Sequence, residues 1–204
     1  MALGDWSVSS FVPEVDEARL AGEAPADYVL RLAESKAMAV PSPAPRGSYT
    51  LAADTAVVDG ADVLGKPADA AGAVEMLRRL RGRTHQVYTG LAVLSANSGQ
   101  MQTDLCITDV PMRDYSDAEI DAYAHSGDPL DKAGAYGIQH PEFHPVRDMA
   151  GCYASVMGLP LCHVLRLLAR LKAAPQPDLA KRCQDHLKYA CPVSSAILRG
   201  EAVG

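Results

Sequence analysis

The chain has 204 residues, 48% of them hydrophobic and 22% charged, which suffices for one folded domain with a full core. Its formal net charge of −6 disfavours a nonspecific nucleic-acid binder or a membrane-surface protein, because neither partner attracts an acidic body. No apolar run approaches the roughly 20 residues that a membrane helix needs, and residues 1–10 lack the basic start of a signal peptide. The composition predicts a cytoplasmic protein with no nucleic-acid partner and no membrane partner.

The cysteines give no sign of a disulfide framework. There are five, at positions 106, 152, 162, 183 and 191, and none forms a CxxC pair. An odd number of thiols without such a pair fits a reducing compartment. Cys183, His186 and Cys191 leave a structural metal site open as an alternative. Cys162 or His163 could supply its fourth ligand, although the spacing is not a standard zinc pattern.

Residues 11–17, FVPEVDE, predict a short strand that ends in an acidic cluster. The cluster consists of Glu14, Asp16 and Glu17. A solvated loop is one interpretation of these residues. Three neighbouring carboxylates could equally hold a hard divalent cation, which takes oxygen ligands and shares them with substrate phosphates.

A helix is predicted over residues 25–40, because a proline at its first position costs no hydrogen bond. Its apolar stripe contains Val29, Leu32, Ala33 and Val40. Lys36 falls in the centre of that stripe, whereas lysines normally lie on the opposite face of a helix. Lys36 therefore either extends its ammonium to solvent or has a partner, and in the second case it is a candidate site residue.

The run 51–58 predicts a buried strand, because its apolar positions occupy both faces of the pleat. Asp54 is the exception within it. A carboxylate in such a place either takes up a proton or meets a cation. Asp59 and Gly60 have the chemistry of a hairpin turn, so the chain returns toward Lys66. A structural salt bridge is the alternative to a functional role for Asp54.

The pattern of residues 69–124 predicts helices and a β-hairpin that support the fold. Asp69 caps a helix that Gly82 stops, and residues 84–94 and 101–112 predict two strands of a hairpin. Ser116 and Glu119 form a capping box at the start of another helix. A last amphipathic helix includes Leu168 and Leu171, and the residues beyond 174 look like an appendage.

The segment 131–139, DKAGAYGIQ, is too rich in glycine for a packed helix and too specific for a linker. Glycines beside a lysine, here Lys132, can bring backbone N–H groups close to phosphate oxygens. The segment is not a Walker P-loop, since GxxxxGK[ST] is absent. It is a candidate phosphate-binding segment.

Seven strings in order resemble the Maf family of nucleoside triphosphate pyrophosphatases. They are VDE at 15–17, RLAESKA at 31–37, ADT at 53–55, LGKP at 64–67, GRTHQVYTG at 82–90, DKAGAYGIQ at 131–139 and VMGLPL at 156–161. The resemblance implies an α/β fold similar to Maf and inosine triphosphatase proteins, with a twisted mixed sheet and two lobes flanking a central cleft. It also implies a homodimer, with the domain over residues 1–174 and a tail over residues 175–204.

The resemblance implies cleavage of the α–β phosphoanhydride of a nucleoside triphosphate with a divalent cation, Mg²⁺ or alternatively Mn²⁺. Asp54 matches the family's catalytic acid, which accepts a proton from the attacking water or binds the metal that activates it. Glu17 matches an acid that helps to hold the metal. Lys36, Lys66 and Lys132 match lysines that neutralise the triphosphate, as phosphoanhydride chemistry requires.

Two further positions match those that the family uses for base selection. Thr55 follows the catalytic acid, and Gln139 ends the glycine-rich segment. Threonine after the acid, together with KAGAYGIQ, resembles the branch that acts on dTTP and UTP, whereas the branch for 7-methyl-GTP looks more like SDQ with CAG. The expected role is removal of noncanonical or surplus pyrimidine nucleotides.

One departure from the family pattern concerns the start of the chain. Family members begin with a strand and an SxSPRR loop whose serine and arginine bind the triphosphate, and no residue in 1–16 matches that loop. The sequence therefore leaves an alternative, a catalytically impaired nucleotide-binding or regulatory protein linked to septum formation. A start codon placed about 25 residues too far downstream, on the family's spacing, would explain the departure for an active enzyme.

Overall fold

Four strands and the helices around them form the part of the chain that this computed structural model describes, residues 6–40, 44–174 and 178–204. The first elements are α1 (Pro25–Met38), β1 (Tyr49–Asp59), β2 (Asp62–Leu64), α2 (Ala70–Leu80), β3 (Thr84–Ser95), β4 (Met101–Pro111) and α3 (Asp117–His125). After two 3₁₀ turns, Asp128–Asp131 and Ala133–Ala135, follow α4 (Tyr153–Val156), α5 (Leu161–Arg170), α6 (Leu179–Leu187) and α7 (Ser194–Leu198). These elements confirm the α/β class.

The sheet has the strand order β2–β1–β3–β4. Every neighbouring pair among the described strands is antiparallel, which differs from the mixed sheet that the resemblance implied. Two of the three pairs are hairpins, and α2 carries the chain from β2 across to the other side of β1. Because β2 and β3 flank β1 and both run against it, no two parallel strands become neighbours.

The two faces of β1 pack against different parts of the molecule. Ala56 and Val58 lie in a cluster with Val29 of α1, whereas Val57 belongs to the large core that α2 and α3 help to form. This division follows from the alternation of side chains along a strand. Residues at even positions of β1 therefore face α1, and residues at odd positions face the opposite side, where Val57 meets the large core and Ala53 packs in the cluster with Val164 and Leu167 of α5.

Helix α1 lies unusually close to the backbone of β3. A Cβ atom on Gly90 would lie 2.5 Å from the carbonyl oxygen of Val29, a distance that no real side chain tolerates. Gly90 is also the cross-strand partner of Asp54 in the register of β1 and β3. The missing side chain thus allows α1 to approach the sheet at the position of Asp54.

Most local predictions are confirmed. Asp69 accepts a hydrogen bond from the backbone N–H of Gly72 at the start of α2, and Ser116 and Glu119 form both bonds of a capping box. The predicted strand over residues 11–17 is wrong, since these residues are not in a strand. Phe11 is 50% and Val12 88% exposed. An alternating pattern forms a strand only where a partner supplies hydrogen bonds, and none lies beside this segment in the described structure.

The residues after position 177 pack on the preceding part of the chain. Leu179 and Cys183 of α6 are buried in a cluster with Cys106, Cys152 and Leu161. The hydroxyl of Tyr189 donates hydrogen bonds to the carbonyl oxygens of residues 149 and 151. In the described residues, no helix has the length and apolarity to cross a membrane.

Candidate active site

Lys36 joins the two acidic residues that the sequence singled out. Its Nζ lies 2.6 Å from Asp54 Oδ1 and 2.6 Å from Glu17 Oε1. The side chain of Asp54 is 11% exposed, and that of Glu17 is 58% exposed. The structure thus brings together Glu17, Lys36 and Asp54, which we call the carboxylate–lysine cluster. The sequence left open whether Lys36 has a partner, and the structure shows that Asp54 is one.

Three elements position this cluster. Lys36 lies in the last turn of α1, and Asp54 lies on the face of β1 that α1 covers. Glu17 precedes α1 and is fixed by its backbone, because the hydroxyl of Tyr28 donates to the Glu17 carbonyl oxygen at 3.0 Å. Arg31 strengthens this attachment through Glu23 and the carbonyl oxygen of residue 18. An irregular segment therefore presents a carboxylate at a defined place.

Burial and charge compete at Asp54. Burial raises its pKa above the usual value and outweighs the opposite effect of the Lys36 ammonium, while the Glu17 charge raises it further. Burial opposes the charge on Lys36, yet hydrogen bonds to Asp54 and Glu17 outweigh burial and raise the Lys36 pKa. The result is a permanent ammonium beside a carboxylate with increased proton affinity, as suits a general base.

Four other predicted site residues line one cavity of about 270 Å³. They are Thr55, Lys66, Lys132 and Gln139, and we call the space the lysine-lined cavity. Its walls also include Val57, Val87, Tyr136, Ile138 and the turn 156–158 after α4. Apolar walls with a few polar groups are typical of a site for a small molecule.

The two lysines of the cavity differ in their surroundings. The ammonium of Lys132 contacts Asp131 at 2.8 Å and Asp128 at 3.0 Å. Lys66 is exposed and makes no ion pair within the described parts of the chain. Lys66 is therefore free to meet an anion, whereas Lys132 must share its charge with two carboxylates.

The glycine-rich segment folds as a loop with left-handed residues. Gly134 has φ 69° and Ala135 has φ 61°, and a Cβ on Gly134 would lie 2.9 Å from the side chain of Val57. The Gly134 backbone N–H donates to the carbonyl oxygen of Gly65 at 3.0 Å. Glycine at position 134 thus lets the loop carrying Lys132 pack on the strand pair that precedes Lys66.

Two residues of β3 support the cavity, although neither is among the site residues that the resemblance implied. Buried His85 lies with Nε2 2.8 Å from the hydroxyl of Tyr136, and burial lowers the His85 pKa to about 4, so its ring is neutral. Thr89 lies next to Thr55, with 3.0 Å between the hydroxyl oxygens. Their only signal in the sequence is a polar residue at a position of β3 that is otherwise buried.

The hydroxyl groups near the cavity have a defined direction. Thr89 donates its proton to the carbonyl oxygen of Ser155 at 2.9 Å. Since a hydroxyl has one proton, Thr89 must accept the hydrogen bond that it shares with Thr55. The hydroxyl of Thr55 is then committed as a donor, and it offers lone pairs to the cavity.

The carboxylate–lysine cluster and the lysine-lined cavity lie on opposite faces of β1. Asp54 and Thr55 are neighbours in the chain, and strand geometry directs their side chains to opposite faces. β2 pairs with β1 only at residues 57–59, so residues 49–56 of β1 have one unpaired edge within the described sheet. Asp54 of the cluster and Thr55 of the cavity both lie in this part of β1.

The donor set of the carboxylate–lysine cluster fits a hard divalent cation. Glu17 and Asp54 each place an oxygen against the same ammonium, so their carboxylates converge on one place. Oxygen donors with open solvent on one side suit Mg²⁺, which keeps several waters and binds few carboxylates. Among the described residues no group of three or more histidine, cysteine or acidic side chains could hold a metal, and this includes Cys183, His186 and Cys191.

The sheet covered by helices and the lysine-rich site agree with the proteins to which this chain is similar in sequence. The model of the family described as Maf-like protein matches residues 2–171, and the chain belongs to this family. A dTTP/UTP pyrophosphatase of Salmonella typhimurium is 46% identical over 168 residues, which cover 82% of this chain and 84% of that protein. One from Anaeromyxobacter dehalogenans is 48% identical over 159 residues, covering 77% of this chain and 79% of the relative. A dTTP/UTP pyrophosphatase of Geobacter sulfurreducens is 42% identical over 160 residues, which cover 78% of this chain and 83% of that protein.

Proposed function

We propose that this protein is a nucleoside triphosphate pyrophosphatase that hydrolyses dTTP and UTP to the monophosphate and pyrophosphate. The observation that carries the proposal is the position of Asp54 beside Lys36, on the edge of β1 that has no partner in the described sheet, with two further lysines in the cavity on the other face of β1. A triphosphate that crosses the edge would meet a base on one side and cations on the other. The names of the relatives support the same substrates.

Asp54 is the proposed catalytic base. It accepts a proton from a water molecule whose oxygen bonds to the α-phosphorus. The bond from that phosphorus to the bridging oxygen breaks, and pyrophosphate leaves with the electron pair. The raised pKa of Asp54 favours proton uptake, while Lys36 keeps the carboxylate oriented.

The lysines compensate the charge of the substrate. Lys66, without a described ion pair, and Lys132, held by Asp128 and Asp131, would contact the phosphates from the cavity. Charge compensation and alignment of water supply most of the catalysis in phosphoryl transfer. We propose Glu17 and Asp54 as the residues that hold Mg²⁺, or alternatively Mn²⁺. When bound, the cation adds charge compensation at the phosphates.

Base selection is assigned to Thr55 and Gln139. Thymine and uracil present an N3–H donor, and Thr55 offers a lone pair to the cavity because its proton is committed to Thr89. Gln139 is exposed at the cavity, and its amide supplies both a donor and an acceptor for the neighbouring base carbonyls. This pairing supports a preference for these two bases over cytosine, whose N3 is an acceptor.

The remaining assignments stay predictions. A homodimer, which light scattering would check, follows from the resemblance alone, and the division at residues 174 and 175 follows from the composition of the residues beyond 174. We place the activity in the cytoplasm, where its substrates are made and where the free cysteines stay reduced. Neither the structure nor the comparisons favour the alternative of a catalytically impaired nucleotide-binding protein.

The decisive experiment measures pyrophosphate release from a panel of nucleoside triphosphates with Mg²⁺. dTTP and UTP should be the best substrates of the chain, and the Asp54→Asn variant should bind them but fail to turn them over. The matched control is Asp62→Asn, because Asp62 lies on the neighbouring strand with an exposed side chain and contacts Arg79 rather than the site. An active Asp54→Asn variant would show that Asp54 is not the catalytic base. If the parent protein turned over no triphosphate, the proposed pyrophosphatase activity would be refuted.

A further inference from the structure

All five cysteines of the chain come together in one region, although they are spread over residues 106–191. Four of them line a single small pocket of about 10 Å³ between α4, α5, α6 and the segment before α7. These are Cys152, Cys162, Cys183 and Cys191. The fifth, Cys106, lies in the same buried cluster as Cys152. The proposed hydrolysis uses none of these thiols.

Cys191 differs from the other four thiols in its exposure and its hydrogen bonds. It is half-buried, whereas the other four are buried. Its sulfur accepts hydrogen bonds from the Cys152 thiol and from the backbone N–H groups of Val193 and Ser194. These donors lower the Cys191 pKa, which increases the thiolate fraction and the reactivity of this thiol.

Cys152 is the thiol that Cys191 can reach. Its thiol neighbours both Cys191 and Cys106. The adjacent Cys152 thiol and the nearby imidazole of His163 also lower the pKa of Cys106. Cys106 is 0% exposed, however, and an oxidant in solution does not reach it.

The two remaining thiols of the pocket are matched controls. Burial raises the pKa of Cys162 to about 12 and also raises that of Cys183. Both are therefore poorer nucleophiles toward a peroxide than Cys191, as is Cys152, whose pKa is also raised by its neighbours Cys106 and Cys191 and by burial. They share the pocket with Cys191 and differ from it in reactivity.

We propose that Cys191 and Cys152 form a peroxide-sensitive pair, in which Cys191 is oxidised first and Cys152 then closes a reversible disulfide. The pocket that both thiols line and the greater exposure of Cys191 carry the assignment. The pair connects the residues after position 171, beyond the family match, to the residue that precedes α4.

The chemistry needs only a hydroperoxide such as hydrogen peroxide as the oxidant. The Cys191 sulfur attacks one peroxide oxygen, the O–O bond breaks, and the other oxygen leaves as hydroxide, which gives a sulfenic acid. The Cys152 sulfur then attacks the Cys191 sulfur, the S–O bond breaks, and hydroxide leaves with the Cys152 proton as water. Two thiols lose two electrons in total, and the peroxide is reduced to two waters.

The position of the pair suggests what the bond would constrain. Cys152 is the residue before α4, and the other end of α4 leads into the turn 156–158 at the lysine-lined cavity. The Ser155 carbonyl oxygen that orders Thr89 lies in the same short helix. A disulfide would therefore fix the C-terminal residues to the element that supports the cavity.

The test treats the reduced full-length protein with a small excess of hydrogen peroxide and maps the products by protease digestion and mass spectrometry without reductant. A peptide pair joined through Cys152 and Cys191 should dominate, and dithiothreitol should remove it. Cys191→Ser should abolish this link and slow the loss of free thiol by about tenfold or more. Cys183→Ser should leave the link and the rate unchanged.

Cys152→Ser should accumulate a sulfenic acid on Cys191 that dimedone traps. If this buried substitution prevents folding, the Cys191→Ser variant still tests the proposal, because a substitution at the half-buried Cys191 disturbs the core less. A dominant bond from Cys106 to Cys152, or peroxide reactivity of Cys191 no greater than that of Cys183, would overturn the proposal. Mapping of the bond needs no turnover, so it stands apart from the test of the pyrophosphatase activity.

Discussion

Lys36 Nζ lies 2.6 Å from Asp54 Oδ1, at the place where Gly90 lets helix α1 approach the sheet. The pair is half-buried, and the same ammonium also contacts Glu17. The relationship between Lys36 and Asp54 couples the fold to the proposed chemistry, because the helix that buries the carboxylate also supplies its counter-charge.

The pH dependence of turnover should report on the Lys36 and Asp54 pair. Asp54 must be ionised to accept a proton, and burial raises its pKa, so activity should fall on acidification at a pH above the ordinary range of aspartate. Lys36→Met removes a hydrogen bond and a charge that lower this pKa, and the acidic limb of kcat should move to higher pH.

Lys66→Met is the control for that profile. Lys66 lies in the cavity on the other face of β1, so its loss should lower turnover without moving the acidic limb. If the acidic limb of the kcat–pH profile has the same midpoint in Lys36→Met as in the parent, Asp54 is not the titrating base.

The same pair predicts how stability depends on pH. Because the folded-state pKa of Asp54 is raised, its contribution to stability is full below the unfolded value and is lost as pH rises through the folded value. Asp54→Asn, which cannot ionise, should therefore unfold with less loss of stability between acidic and neutral pH than the parent. Urea titrations at several pH values measure the difference, and parallel curves for the two proteins would contradict it.

Gly90→Ala should destabilise the fold and separate the catalytic pair. The new Cβ would lie 2.5 Å from the Val29 carbonyl oxygen, so α1 must move away from the sheet. Overpacking of this kind costs about 1–3 kcal/mol, and each kcal/mol lowers Tm by about 2–4 °C in a chain of this size.

Gly65→Ala is the matched control for that substitution. An added Cβ at Gly65 meets nothing within 4 Å, and its φ is not positive, so Tm should stay nearly unchanged. Equal Tm values for Gly90→Ala and the parent would mean that α1 does not need this close approach.

Base selection should depend on the hydroxyl direction around Thr55. Thr89→Val removes the acceptor of the Thr55 proton, so the Thr55 hydroxyl is free to turn and its lone pair is no longer fixed. One neutral hydrogen bond is worth about 0.5–1.5 kcal/mol, so the preference for dTTP over dCTP should fall by roughly two- to tenfold. Gln139→Ala should likewise change the ranking of nucleotides more than the rate on the best one.

Lys132→Met provides the contrast for these two variants. It removes a phosphate-facing charge, so it should lower kcat/KM on all triphosphates and leave their ranking intact. An unchanged ranking in Thr89→Val and Gln139→Ala, with only Tm reduced in the former, would assign both residues a structural role.

The sequence by itself determined the local elements and the unusual charges. Caps at Asp69 and Ser116 depend on residues a few positions away, so they follow from short-range patterns. Lys36 and Asp54 were recognisable because each interrupts an apolar pattern, and Lys132 because it lies in a glycine-rich segment. The resemblance added the roles of Glu17, Lys66, Thr55 and Gln139.

Only the tertiary structure decided how these residues combine. It brought Lys36 and Glu17 to one side of β1 and Lys66 and Lys132 to the other, and it selected Asp54 as the partner of Lys36 through the approach at Gly90. It also showed that residues 11–17 form no strand and that five distant cysteines share one region. Such facts depend on contacts between residues far apart in the chain, which periodicity and capping rules do not encode, because these rules describe one element and not its neighbours.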